Sequence, residues 1–411
     1  AAQTDGDLIV DNNNNNSNKK PETPLLTNDW TFDNLTVSGA GNLNTNEYNL
    51  IINNNLTISS NSIFILTAGD NLAVNNNFTI SNATFNLGAS CNVTYSTFNW
   101  SDYGIIIDNG GTFELLSGGG ALSIPATSTL YANIARTFTG LTVNGILTHS
   151  NNTTTETNKL NYIIEGDAII SSGGSINVNA KGYQHSAGPG QGGDSQRSSG
   201  AGYGGNGGVS EYSIAGGSAY GSITAPINLG SGGGDYSAEL GGAGGGVVKL
   251  TVTGTMTIAG NITANGGNSN NRGGGGSGGS IYLITGTLAG TSTLSVNGGT
   301  GFSSGAGGGG RIAVYYTDNS SSTISYQAYG GSPAGRYGGA GTIYLKDNTA
   351  GTDELVIDNN SQDSLNDRYI GKTPINEATA ISRKIKYNHI IRSDSTELKL
   401  WKKSYHNFIK R

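Results

Sequence analysis

A single cysteine, Cys91, stands in 411 residues, so no intrachain disulfide framework is available, and four scattered histidines offer no Cys/His cluster with metal-ligand spacing. Cys91 therefore reads as a small buried residue. Charge is also scarce: Asp, Glu, Lys and Arg make up 12% of the chain, about half the usual share. Together with only seven prolines, this argues against a disordered chain, which is rich in charge and proline. No run approaches the roughly 18 apolar residues of a membrane-spanning helix. Acidic residues are absent from 241 to 317, and the remaining candidates for acid/base work, Asp102, Asp108, Glu114, Glu165 and Asp167, fall at unrelated places. Glycoside chemistry needs two carboxylates about 5–10 Å apart, which nothing in this pattern supplies. The expectation is a non-catalytic protein without metal or cofactor.

What is abundant is glycine, at 67 residues, and it recurs on a period. Aligned on their apolar strands, "GGAGGGVVKLTV" (241–252), "GGGSGGSIYLIT" (274–285), "GAGGGGRIAVYY" (305–316) and "YGGAGTIYLKD" (337–347) put Val248, Ile281, Ile312 and Ile343 in register, at steps of 33, 31 and 31 residues. Each is followed by a second strand pattern, "NITANGG", "TLSVNGG", "STISYQAYGG" and "ELVIDNN". The first half repeats in other letters: "NLTVS" (34–38), "NLTIS" (55–59), "NFTIS" (77–81) and, 15 residues on, "NVTYS" (92–96). Alternation turns Leu35, Val37, Leu56, Ile58, Phe78 and Ile80 inward and leaves Asn and Thr to stack as polar ladders.

Periods of 20–50 residues mark repeat architectures, and short strands split by Gly, Asn and Asp turns fit an all-β parallel β-helix; a propeller blade needs four strands in about 40–50 residues. The glycine runs fail as phosphate loops, because "GSGGGDYSAELGG" has no following Lys-Ser/Thr and no helix, and neither "GGDSQ" nor "GGGDY" continues into a calcium nonapeptide. They read instead as stacked loops in which absent Cβ atoms let backbones approach closely. The expected organisation is a polar arm (1–28), an Asn/Thr-rich β-helix (29–181), a glycine-rich insertion packed on the solenoid (182–246), glycine-rich β-helix repeats (247–360) and a basic C-terminal strand segment (361–411).

The run "AYGSITAPINLGSGGGDYSAELGGAGGGVVKLTVTGTMTIAGNITANGG" (219–267) with the two repeats after it resembles a glycine-rich repeat module of large, mostly uncharacterised secreted surface proteins, adhesin-like and largely bacterial. The resemblance covers about 166–347. It implies location and architecture and carries no chemistry. The opening Ala-Ala-Gln reads as a mature end left by a removed signal peptide, placing the protein outside the cell or on its surface. Triplets Asn-X-Ser/Thr at Asn34, Asn55, Asn77, Asn92, Asn99 and Asn261 are either glycosylation acceptors or simply the way each repeat begins.

Residues 381–411 break the pattern with nine Lys/Arg against Asp394 and Glu397, a net +7 beside −13 for the rest. An acidic extracellular chain is a poor nucleic-acid binder. This tail is either a cap on its own chain or a strand donated to a neighbour through Ile385, Tyr387, Ile391, Leu398, Leu400 and Trp401. The leading expectation is a structural protein whose partner is itself, joined head to tail in a fibre or surface layer. The alternative is an adhesin, surface or phage-type, that meets cell-surface glycans through Tyr203, Tyr212, Tyr220 and Tyr236.

Overall fold

The computed structural model describes residues 6–15, 21–26, 29–117, 119–269, 271–332, 336–360, 371–375 and the backbone of 385–387. The chain is nearly all β, with one four-residue helix, Glu114–Ser117, among these residues. Its strands form three long sheets of eight, eleven and twelve strands. Every strand pairing is parallel except one, between Thr342–Asp347 and Thr352–Ile357. The first sheet runs from Leu8–Asp11 to Thr112–Phe113, the second from Thr23–Pro24 to Ser325–Gln327, and the third from Ala121–Ile124 to Ile385–Tyr387. Leu8–Asp11 and Thr23–Pro24, inside the stretch read as a polar arm, are thus sheet strands.

Each strand lies on its equivalent one repeat earlier, so like residues stack on like. In the first sheet Leu35, Leu56 and Phe78 are in register, as are Val37, Ile58 and Ile80, and all six are fully buried. The second sheet carries one inward column from Leu43 through Phe64, Phe85, Ile106, Leu130, Leu147, Ile176, Ile262 and Leu294 to Tyr326. In the third sheet Leu160, Val248, Ile281, Ile312 and Ile343 align, which is the register the glycine-rich repeats imply. One hydrophobic cluster consequently extends from Val10 to Ile343, and Cys91 is buried in it. Each fully buried aliphatic side chain stabilises the fold by about 1.5–3 kcal/mol relative to exposure.

Two sequence expectations are corrected. "NVTYS" does not follow "NFTIS": Asn92–Tyr95 pair with Asn71–Val74, and Thr97–Ser101 are the partners of Asn77–Ser81. Asn71–Ser81 and Asn92–Ser101 are long strands, irregular between Tyr95 and Thr97, that cross two inward columns without a loop, so the 15-residue step mixes the columns. "ELVIDNN" likewise does not continue the second sheet, because Thr352–Ile357 folds back antiparallel on Thr342–Asp347. The turn explains the reversal: Asp347 Oδ1 accepts from the Thr349 and Ala350 N–H groups, and Gly351 takes φ +63°. Leu355 and Ile357 then join a second small core with Ile223, Ala313, Ala340 and Tyr344.

Candidate functional site

The glycine-rich segments form no sheet. Their backbone hydrogen bonds instead follow a period of three. Within 274–279, the Gly274 and Ser277 N–H groups donate to Gly234 and Ser231, Gly275 and Gly278 to Gly305 and Gly308, and Gly276 and Gly279 to Gly267 and Ala264, all at 2.7–3.0 Å. Segment 305–310 repeats the scheme, with Gly305 and Gly308 donating to Ser198 and Ala201, Ala306 and Gly309 to Arg336 and Gly339, and Gly307 and Gly310 to Gly299 and Val296. One strand bonded in turn to three neighbours is the signature of an extended helix with three residues per turn, the polyproline II form, which has no internal hydrogen bonds. Residues 198–208, 228–235, 241–246, 264–267, 274–279, 296–299, 305–310 and 336–341 knit into one such lattice.

Glycine is required here for room and not for backbone angle. A Cβ on Gly278 would collide with the Val296 carbonyl, and one on Gly308 with the Gly205 carbonyl, while neither residue has positive φ. Close approach, foreseen from composition, is therefore what the lattice uses.

Where lattice meets sheet, the few large side chains are locked. Tyr203 is 0% exposed, its hydroxyl 2.7 Å from Ser280 Oγ and its ring 4.8 Å from that of Tyr220. The Tyr220 hydroxyl donates to the Leu229 carbonyl and lies 2.8 Å from Ser231 Oγ. Burial pushes both phenols above the ordinary tyrosine range. Arg311, 1% exposed, donates to the Tyr220 carbonyl and to Thr342 Oγ1 and lies over the Tyr203 ring. Tyr203 is thus a packing residue and not a ligand contact, and Tyr220 is tied down beside it. His149 is equally locked: Nε2 accepts from the Val247 N–H, so Nδ1 carries the proton and donates to the Ser150 carbonyl, and burial drives its pKa from 6.5 to about 4.

The turns that close the lattice segments are different in kind. Besides its tyrosines, the ionisable side chains of 182–246 are His185, Asp194, Arg197, Glu211, Asp235 and Glu239, and they bond to one another and to turns from later repeats, Glu211 also lying 3.9 Å from Arg336. Arg197 lies 2.6 Å from Glu211 and donates to the Ser303 carbonyl. Glu239 accepts from Asn271 and lies 3.8 Å from Arg272, whose guanidinium stands 5.5 Å over the Tyr236 ring. His185 and Asp235 are 2.6 Å apart. Tyr212 and Phe302 project from these turns, 56% and 71% exposed. Of the four tyrosines singled out from sequence, then, Tyr212 is on the surface, Tyr236 is half-buried beneath Arg272, Tyr220 is half-buried against Tyr203, and Tyr203 is inside. Phe302, Arg272 and Glu239 went unnoticed; the signal was their isolation between uncharged glycine runs.

Three of the five sequence-derived carboxylates, Asp108, Asp167 and Asp102, accept hydrogen bonds at separate places. Asp108 is fully buried and held by Arg136 through two hydrogen bonds of 2.9 and 2.7 Å. Asp167 accepts from the Thr255 N–H, and Asp102 from Ser81 and Ser101. Among the described residues no group of three or more His, Cys, Asp or Glu is placed to hold a metal ion, and no helix is long and apolar enough to cross a membrane. Asn34, Asn55 and Asn77 form an amide ladder, Asn77 donating to Asn55, Asn55 to Asn34, and Asn34 to Asp7. At the C-terminal end Ile385–Tyr387 adds in parallel to Leu355–Ile357 of the same chain, while Ile391, Leu398, Leu400 and Trp401 lie outside the described residues. No family model, no curated protein and no solved structure matches the chain.

Proposed function

We propose that this chain is a parallel β-helix solenoid serving as a non-catalytic, extracellular structural protein, a rod that joins others end to end. The observation that carries the reading is the parallel, strand-upon-strand growth of all three sheets, broken only where Thr352–Ile357 folds back at the end of the third. Eleven strands of the second sheet at about 4.8 Å each make a rod of roughly 50 Å. Among the described residues, Leu8–Asp11 at one end and Ile385–Tyr387 at the other each have one strand partner. Such edges pair with further strands unless covered, and unlike ends stack without closure into filaments. Ile385–Tyr387 adds in parallel to the folded-back Leu355–Ile357 and so runs opposite to the earlier strands of its sheet; a neighbour's strand joined at this edge would meet that reversed direction.

Electron microscopy of the purified chain, with and without 381–411, tests this. The full chain forms filaments, and the truncated chain remains a folded rod that does not assemble, because a solenoid's stability is a sum over its repeats. Monodisperse rods from the full chain would refute assembly, and unfolding of the truncated chain would make the tail an internal cap. A second reading, a glycan-binding adhesin, is favoured by one feature: the exposure of Tyr212 and Phe302 on a rigid support.

A further inference from the structure

We propose that the turns closing the glycine lattice form a binding crest for an uncharged polysaccharide, with the rings of Tyr212 and Phe302 as its stacking platforms. The proposal rests on the ligand-binding reading and is independent of end-to-end assembly. Of the twelve large apolar side chains exposed among the described residues, Tyr212, Ile214, Leu240 and Phe302 lie on these turns, including two of the three exposed aromatics. The third, Tyr103, is on a turn after Asn92–Ser101, in the Asn/Thr-rich half.

The turns are one continuous feature. Tyr236 stacks under Arg272, Arg272 meets Glu239, and Glu239 holds Asn271. The Asn271 carbonyl accepts from the Ser303 N–H beside Phe302, and the Ser303 carbonyl accepts from Arg197, which pairs with Glu211 beside Tyr212. Chemistry selects the ligand. The crest sets Arg197, Arg272 and Arg336 against Asp194, Glu211, Asp235 and Glu239, so it has no cationic excess to attract an acidic polymer, yet its ion pairs hold donors and acceptors that hydroxyl groups can share. An aromatic ring offers a flat apolar face to the C–H side of a pyranose, and water released from a side chain as exposed as Phe302 favours its coverage.

The lattice contributes preorganisation. Both turns leave from backbone hydrogen-bonded to three neighbours, so little conformational entropy is lost when a chain docks. That is a physical role for a scaffold with so few side chains.

The test is affinity electrophoresis of the full chain through gels containing dextran, galactomannan, hydroxyethylcellulose or, as an acidic comparison, alginate. Wild type is retarded by at least one neutral polymer. The Tyr212→Ala/Phe302→Ala double variant loses that retardation tenfold or more with an unchanged melting temperature, and Tyr103→Ala retains it. Retardation that survives the double substitution would overturn the crest while leaving a glycan site elsewhere. Retardation by alginate alone, or by none of the polymers, would overturn both the crest and the glycan reading.

Discussion

A methyl group added at Gly278 is the sharpest probe of the lattice. Its Cβ would fall on the Val296 carbonyl, which accepts from the Gly310 N–H, and the Gly278 N–H itself donates to Gly308. Both obstacles are backbone, so no rotamer change relieves the clash, and the segment must move away from two neighbours at once. Two backbone hydrogen bonds lost at about 1 kcal/mol each, with at least one buried donor left unsatisfied at about 1–3 kcal/mol, give a destabilisation of about 3–5 kcal/mol for Gly278→Ala. Gly173 is the control, because a Cβ there meets nothing within 4 Å and its φ is not positive; Gly173→Ala should change stability by under about 0.5 kcal/mol. Urea denaturation gives the magnitudes, and hydrogen exchange should show loss of protection in 264–279 and 296–310. If Gly278→Ala and Gly173→Ala unfold together, the segments do not pack as argued.

Three other outcomes are expected. The folded pKa of His149, about 4, lies below the ordinary 6.5, so the unfolded chain binds the proton more readily; stability is complete above pH 6.5 and falls by roughly 3 kcal/mol as pH drops toward 4. Melts across that window should show the loss in wild type and a smaller one in His149→Asn, and an NMR titration that places the His149 imidazole itself near 6.5 would contradict it. Tyr162 is fully buried, its hydroxyl without a hydrogen-bond partner among the described residues, so Tyr162→Phe should raise stability by about 1 kcal/mol, and a lower urea midpoint would show that the hydroxyl is in fact used. Arg136→Ala strands the buried Asp108 carboxylate and should cost about 3–5 kcal/mol, largely recovered by adding Asp108→Asn; equal losses in single and double variants would disprove coupling.

The inward columns and their register are legible in the letters. Side chains alternate with period two along a strand, so an apolar residue recurring at 31 or 33 residues in the same phase, as Val248, Ile281, Ile312 and Ile343 do, has nowhere to go but onto its equivalent. The Asn ladder follows from the same repetition. Strand direction and column identity are not written locally. "ELVID" alternates like any strand here, and only the Asp347 turn reverses it; "NVTYS" matches its neighbours in pattern but belongs to a different column. Which glycine segments touch is likewise tertiary: a segment with no side chains has no face to read, and 274–279 acquires its three neighbours only when the sheets hold successive loops side by side. That stacking buries Tyr203, half-buries Tyr220 and leaves Tyr212 and Phe302 outside. The four aromatic residues have similar glycine-rich surroundings in sequence, and their different fates follow from distance to the sheet, which only the folded chain determines.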